Sequence, residues 1–443
     1  KKKKMKLNKP LLLFIVTIWI LFCYFKVKQP QQNLKCLFLK KNCALSNFGG
    51  HVEKGFESVK EAYQQLFEEG IDSGSQFVAY YKGEKVVDLY AGYANKKKQL
   101  KYTADTLTLT FSCSKVLESL SIAMMVDRGI LNYNEKITTY WPEFPNKNVT
   151  LEQLMKYEAR LPHVQLSSLK EALDDTSYFR KLLEKTPLIP HVPNTRAYHA
   201  YTRGLILNEL VKMVTKQSLG AFLRENINDI DTLDYYMGNF PEDKEALRAD
   251  MKEISLYEMI FKVAIPTYLL PFRSTLPKEV QHFFKKLISS KTLTHKALFV
   301  IPKKDRDYNS KLFRTIELPS ANGHTNAYTL ATIANALLHE GTFAHDNTTL
   351  FKDASILNIA ESNPVTQFDL VLQKETSVTK GGFGRIGNLY GWNGMGGSTM
   401  RWDRQHQLAY SYVMNTMEPF PYKRVPRLEA ALFKAIQVIE ENH

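Results

Sequence analysis

The segment Ser112-Cys113-Ser114-Lys115 sets a hydroxyl and an amine three residues apart, just before a largely apolar run from Val116 to Leu131. A serine hydroxyl is a weak nucleophile at neutral pH and needs a base within hydrogen-bond reach. Spacing i, i+3 on a helix puts both side chains on one face. Burial of that helix would strip solvent from the lysine and lower its pKa until it can take a proton. A serine at the helix start also faces backbone N–H groups that stabilise negative charge. Two other Ser-x-x-Lys matches, Ser167/Lys170 and Ser377/Lys380, lead into no long apolar helix and read as surface pairs.

Two later segments supply what such a site needs. In Ala197-Tyr198-His199-Ala200-Tyr201-Thr202, Tyr198 stands at the mouth of a helix. A tyrosine held near a buried lysine can share its phenolic proton and act as a base. His199 reads as a residue satisfying local hydrogen bonds. In Gly391-Trp392-Asn393-Gly394-Met395-Gly396-Gly397-Ser398, glycines let a strand edge approach a substrate, and N–H groups there can face an oxyanion. His339-Glu340 and His345 lack the spacing of a metal site, and no metal or cofactor is expected.

The elements that must position these groups follow from periodicity. An amphipathic helix runs from Glu53 through Phe56, Val59, Ala62, Tyr63, Leu66 and Phe67 to Gly70. Strands at Gln76–Tyr81 and Lys85–Tyr90 form a hairpin over Lys82-Gly83. Helices are expected from Ser112 to the cap at Arg128-Gly129, from Leu151, over Tyr201–Lys216, over Thr329–His339 and over Arg427–Glu440. Asn228 to about Pro319 reads as mostly helical, broken by Pro266, Pro271 and Pro277. Leu389–Asn393 and Leu408–Asn415 read as strands flanking the Gly-rich turn. Strands at both ends with helices between imply an α+β fold, its antiparallel sheet closed by N- and C-terminal segments.

With these blocks in order, the chain resembles the serine β-lactamase and penicillin-binding-protein superfamily. The resemblance is to the class C-like branch that includes esterases and animal β-lactamase-domain proteins. It spans about Gly49 to Asn415 and includes Val86-Val87-Asp88-Leu89, Val126-Asp127-Arg128-Gly129, Tyr140-Trp141-Pro142-Glu143-Phe144, Pro319-Ser320-Ala321-Asn322-Gly323 and Tyr410–Asn415. It implies a β-lactamase/transpeptidase-like fold over 49–443. It implies Ser112 as acyl-accepting nucleophile, Lys115 as proton acceptor and Tyr198 as partner base. Trp392, Asn393 and Gly394 match a third motif, and the Ser112 and Met395 amides would form an oxyanion hole. The chain departs from the pattern at Ala200, where Asn is common, and at Trp392, where Lys or His often stands. It departs again at Tyr157 and Arg160, where His and Gly are usual. The first two departures point from β-lactams toward esters.

The net charge of +14 is located in a tail: residues 1–48 hold eleven lysines and no acid, leaving +3 on the remaining 395. That excludes a nucleic-acid groove on the body. Residues 1–10 read as a basic cytosolic tail, Leu11–Phe25 as an uncharged signal anchor, and 26–48 as a basic stalk. The catalytic domain would then be lumenal or extracellular. A cleaved signal peptide and a mitochondrial presequence are the alternatives. Asn148-Val149-Thr150 and Asn347-Thr348-Thr349 are sequons, and Cys36 and Cys43 could pair in an oxidising compartment, whereas Cys113 reads as a packing residue. The expected activity is acyl transfer to water from a small ester, with amides as the wider class. A peptidase of the same fold and an inactive binding or scaffold protein are the other readings.

Overall fold

The computed structural model describes residues 47–228, 233–252, 278–344, 347–417 and 424–442. The expected tail and anchor, Cys23, the Cys36–Cys43 pair, most of the stalk, the three breaker prolines and His345 lie outside them. The membrane expectation is corrected, because no helix among the described residues is long and apolar enough to cross a membrane. The helices with the most apolar sequences here have 13 and 12 residues. A bilayer needs about twenty. They are buried in the protein core instead.

The frame is an eleven-stranded sheet among the described residues. Its chain order is β1 (Gly49–Val52), β2 (Gly74–Tyr81), β3 (Glu84–Asn95), β4 (Thr195–Arg196), β5 (Val365–Asp369), β6 (Lys374–Val378), β7 (Gly384–Ile386), β8 (Leu389–Asn393), β9 (Thr399–Asp403) and β10 (Leu408–Met414). Leu100–Lys101 adds a short strand on β3. Across the sheet the order is β1-β3-β2-β10-β9-β8-β7-β6-β5-β4. Distant segments therefore close it, as expected, with β10 pairing β2 from Leu408↔Tyr81 to Met414↔Ser75. The sheet is mixed rather than wholly antiparallel, because the two-residue β4 runs parallel to β5.

Both faces of the central strands are buried, and alternation decides which core each residue joins. Phe77, Ala79 and Tyr81 join Leu408, Tyr410 and Tyr412 under α1 (Glu57–Glu68) and the C-terminal helix. Val78, Tyr80, Ala409 and Val413 face the other way, toward the helical layer. That layer holds α2 (Lys115–Asp127), α3 (Thr202–Thr215) and α4 (Ala327–Leu338). The last helix, α5, spans Val425–Glu441 and packs on α1 through Leu428, Leu432 and Ile436. At the β2–β3 hairpin Lys82 and Gly83 take φ of 51° and 86°, the turn geometry that follows strand twist. Lysine accepts that conformation at some cost; glycine accepts it freely.

Two expectations on secondary structure are revised. The region after Asn228 contains a strand, Tyr235–Met237, paired with Gly323–Thr325. Three residues carry no readable period. The Gly-rich turn joins β8 to β9, a strand that was not expected and whose Arg401 and Asp403 are buried.

Helix α2 is the centre of the helical layer, and Lys115 through Met125 are all buried. Leu120→Ala should cost about 3 kcal/mol by cavity formation. Equilibrium urea unfolding checks it, and a loss below about 1 kcal/mol would mean that α2 is not packed this way.

Candidate active site

Ser112 does not begin an α-helix. Phe111–Ser114 form a 3₁₀ turn, and α2 starts at Lys115. In a 3₁₀ turn side chains at i and i+3 eclipse, which suits this pair better than α-helical spacing. Lys115 Nζ lies 3.4 Å from Ser112 Oγ. The chain enters the turn through Phe111 at φ 49°, a left-handed conformation that costs a bulky residue energy. Phe111 is held there by burial against the edge of Tyr308, 5.1 Å between ring centres.

Lys115 is 1% exposed. Its amine donates to the carbonyls of Ala200 (2.6 Å) and Ser320 (3.1 Å). Ser112 Oγ is its third partner, so two backbone carbonyls and the serine oxygen surround the amine. Burial pulls the Lys115 pKa well down, Glu118 opposes this and Arg203 adds to it. Each effect acts on the ammonium form alone.

Tyr198 follows β4, and its backbone N–H donates to Asp369 on β5 (3.1 Å). The same carboxylate oxygen accepts from Val371 and Leu372, so the acid serves as a backbone clamp. The Tyr198 hydroxyl donates to Ser112 Oγ at 2.7 Å. Burial raises its pKa, which keeps it protonated. His199 is wholly buried, with Nδ1 against the Ala197 carbonyl (2.6 Å) and Nε2 accepting from the Leu161 amide (3.2 Å). Burial lowers its pKa to about 3, so it stays neutral and structural, as expected.

The third segment forms the end of β8 and the turn into β9. Trp392 stacks on Tyr198, 5.7 Å between centres with planes 20° apart. Asn393 Oδ1 is held by Thr399 (2.7 Å) and Arg401 (2.9 Å), so its oxygen is committed to the frame. A side chain at Gly394 would collide with the Thr110 carbonyl. Glycine thus lets this turn lie against the Ser112 turn. Met395 follows, 44% exposed at the rim. The fold therefore gathers Ser112, Lys115, Tyr198, Trp392 and Gly394, while the side chain of Asn393 is largely turned to support.

Tyr157 and Arg160, which depart from the pattern, both stand in left-handed backbone. They take φ of 65° and 63°. The Tyr157 ring meets Tyr198 edge-on at 5.1 Å and Trp392 at 5.8 Å, with Arg203 5.0 Å from its centre. Its hydroxyl is buried with no hydrogen-bond partner among the described residues. Sequence reasoning missed Glu118, Arg203, Ser320 and Arg401 as members of the site's support. An acid at Glu118, one turn beyond Lys115 in an otherwise apolar run, was the available signal. Cys113 is buried and unpaired, its thiol pushed up to about 12 by burial. Ser167 binds Glu171 and Lys380 binds Asn134, consistent with the bland reading of the other Ser-x-x-Lys pairs. A cavity of about 300 Å³ borders Tyr157 and Ala197 but includes none of Ser112, Lys115, Tyr198 or Trp392.

A family model described as Beta-lactamase matches residues 63–433. The chain is similar to the "Esterase/beta-lactamase LipL" of Mycobacterium tuberculosis, 26% identical over 198 residues. That match covers 44% of this chain and 46% of the relative, so the chain spans about half of that relative's length. Among solved structures it resembles a penicillin-binding-protein homolog from Caulobacter crescentus. That likeness has 28% identity, a TM-score of 0.72, and coverage of 88% of this chain and 100% of the other. A family VIII carboxylesterase shares the fold at 23% identity and TM-score 0.68, covering 88% of this chain and 100% of the other.

Removing the Tyr157 hydroxyl removes a buried polar group that makes no bond among the described residues, so Tyr157→Phe should gain about 1 kcal/mol or stay level. Thermal or urea unfolding measures this. A loss of more than about 1 kcal/mol would reveal a partner for that hydroxyl.

Proposed function

The chain belongs to the beta-lactamase family, and from that membership we propose that it is a serine hydrolase cleaving carboxylic esters through an acyl-enzyme on Ser112. The observation that carries this reading is the meeting of three groups. Ser112 Oγ lies 3.4 Å from Lys115 Nζ and accepts from Tyr198 at 2.7 Å. An amine kept neutral by burial can take the serine proton as Oγ attacks the carbonyl carbon. The new C–O bond places a negative charge on the carbonyl oxygen. The Ser112 and Met395 amides are the donors proposed for it. When the intermediate collapses, the alkoxide leaves with a proton delivered from Lys115 through Tyr198. Water then enters by the reverse sequence and releases the acid.

Esters are favoured over β-lactams and peptides by what faces the nucleophile. Ala200 offers no side-chain amide to a substrate amide, and its carbonyl is already taken by Lys115. Trp392 presents an aromatic face where a cation would meet a substrate carboxylate. An uncharged acyl group fits that wall. The similar proteins' names include an esterase/beta-lactamase and a penicillin-binding-protein homolog, so the choice rests on Ala200 and Trp392.

The full chain should react with a fluorophosphonate probe and hydrolyse a short-chain p-nitrophenyl ester. Ser112→Ala should lose labelling and lower kcat by about a thousandfold or more. Because the base must be neutral, kcat/KM should rise with pH through the lowered Lys115 pKa and level off above it. Lys115→Arg, charged at all accessible pH, should be inactive throughout. Turnover unchanged in Ser112→Ala would remove the site. Faster cleavage of a chromogenic cephalosporin or a D-peptide than of the ester would overturn the substrate class. A wild-type chain that neither labels nor turns over would leave the non-catalytic reading.

A further inference from the structure

We infer that Glu118 and Arg203 act as a positioning pair, in which Arg203 holds the Glu118 carboxylate away from Lys115 so that the amine has no acidic partner. The inference rests on the reading of Ser112 and Lys115 as nucleophile and base. Lys115 and Glu118 stand at i and i+3 on α2, a spacing that favours an ion pair between lysine and glutamate. Such a pair would stabilise the ammonium and remove the base. The carboxylate is instead bound elsewhere at both oxygens. Arg203 Nε donates to Oε2 at 2.8 Å, with both side chains 0% exposed. The Ser320 hydroxyl donates to Oε1 at 2.5 Å and accepts from the Gly204 amide at 2.9 Å.

Arg203 is fixed in turn. Its Nη2 donates to the Lys115 carbonyl at 2.8 Å, and its Nη1 to the carbonyls of Gly382 (3.1 Å) and Met155 (3.3 Å). Ser320 has a double part, since its hydroxyl holds Glu118 and its carbonyl accepts from Lys115. The network therefore locks the acid and the amine into separate bonds. The charged groups acting on Lys115 are Glu118, which raises its pKa, and Arg203, which lowers it. The other titratable groups nearby are uncharged: the Tyr198 and Tyr157 phenols, pushed up by burial, and His199, pushed down.

The pair's two members should move the acid limb of the kcat/KM–pH profile in opposite directions, measured on the full chain with the p-nitrophenyl ester. Arg203→Gln releases the carboxylate toward Lys115, and the limb should rise by about one pH unit or more. Glu118→Gln leaves the guanidinium uncompensated, and the limb should fall by a similar amount. The double variant should return it near the wild-type position. Should either single variant fail to fold, Ser320→Ala decides: it frees one carboxylate oxygen without removing a charge and should raise the limb. Rates that fall while the limb stays fixed, or single variants whose limbs move the same way, would make the pair merely structural. If Ser112→Ala retains turnover, the reading of the site fails instead. If Ser112→Ala is inactive and the limb does not move, the positioning role alone fails.

Discussion

A lysine buried without a carboxylate partner is the constraint on which the site depends. Taking an ammonium out of water is costly, and a protein ordinarily avoids the cost by pairing the charge or losing the proton. Here Nζ is enclosed by α2, the Ala200 carbonyl and the Ser320 carbonyl. Those acceptors hold the amine from two sides, and Ser112 Oγ stands at the third, 3.4 Å away. Neither acceptor is replaceable by a side chain, since both are backbone atoms set by the course of α3 and of the segment before Gly323. The position of the proposed base is thus fixed by backbone atoms.

The second constraint is the aromatic wall behind Ser112. Tyr157, Tyr198 and Trp392 come from three segments far apart in the chain, and each ring touches the other two. Offset and edge-on contacts of this kind fix ring orientation better than aliphatic packing does. They aim the Tyr198 hydroxyl at Ser112. The sheet supplies the rigidity: Trp392 is on β8, paired with β9 at Met400, and Tyr198 is clamped to β5 through Asp369. The left-handed backbone at Phe111, Tyr157 and Arg160 shows where local strain is accepted to bring these groups together.

The chemistry-bearing blocks were legible because each carries its signal locally. Ser112 and Lys115 precede a buried run, Tyr198 opens a helix, and Gly394 stands where a side chain cannot. The long helices were legible from period, and α1, α3 and α4 fall within a few residues of expectation. What failed to read was non-local. Arg401 and Asp403 stand on a strand that was not expected, enclosed by β8 and β10. Glu118 looks like a flaw in an apolar helix until Arg203 arrives from α3. The 3₁₀ turn at Ser112 is set by packing of Phe111, which no period reports. At Tyr157, where the resemblance implies a histidine, the ring contacts both aromatic neighbours, Tyr198 and Trp392.

Burial acts in opposite directions on an acid and on a cation, and this chain places one of each against the same serine. Removing water disfavours whichever form is charged. Burial therefore pulls the lysine pKa down and pushes the tyrosine pKa up. In the proposed reaction the phenol donates to Ser112 Oγ and later to a departing alkoxide. An amine held neutral cannot be the first donor, but it can accept. One dry pocket thus assigns both roles in the proposed reaction, as environments that push two pKa values apart commonly do. The assignment needs no charge delivered to the site from outside. It requires only that Glu118, the nearest carboxylate on the helix, be bound elsewhere, and Arg203 and Ser320 meet that requirement at 2.8 and 2.5 Å.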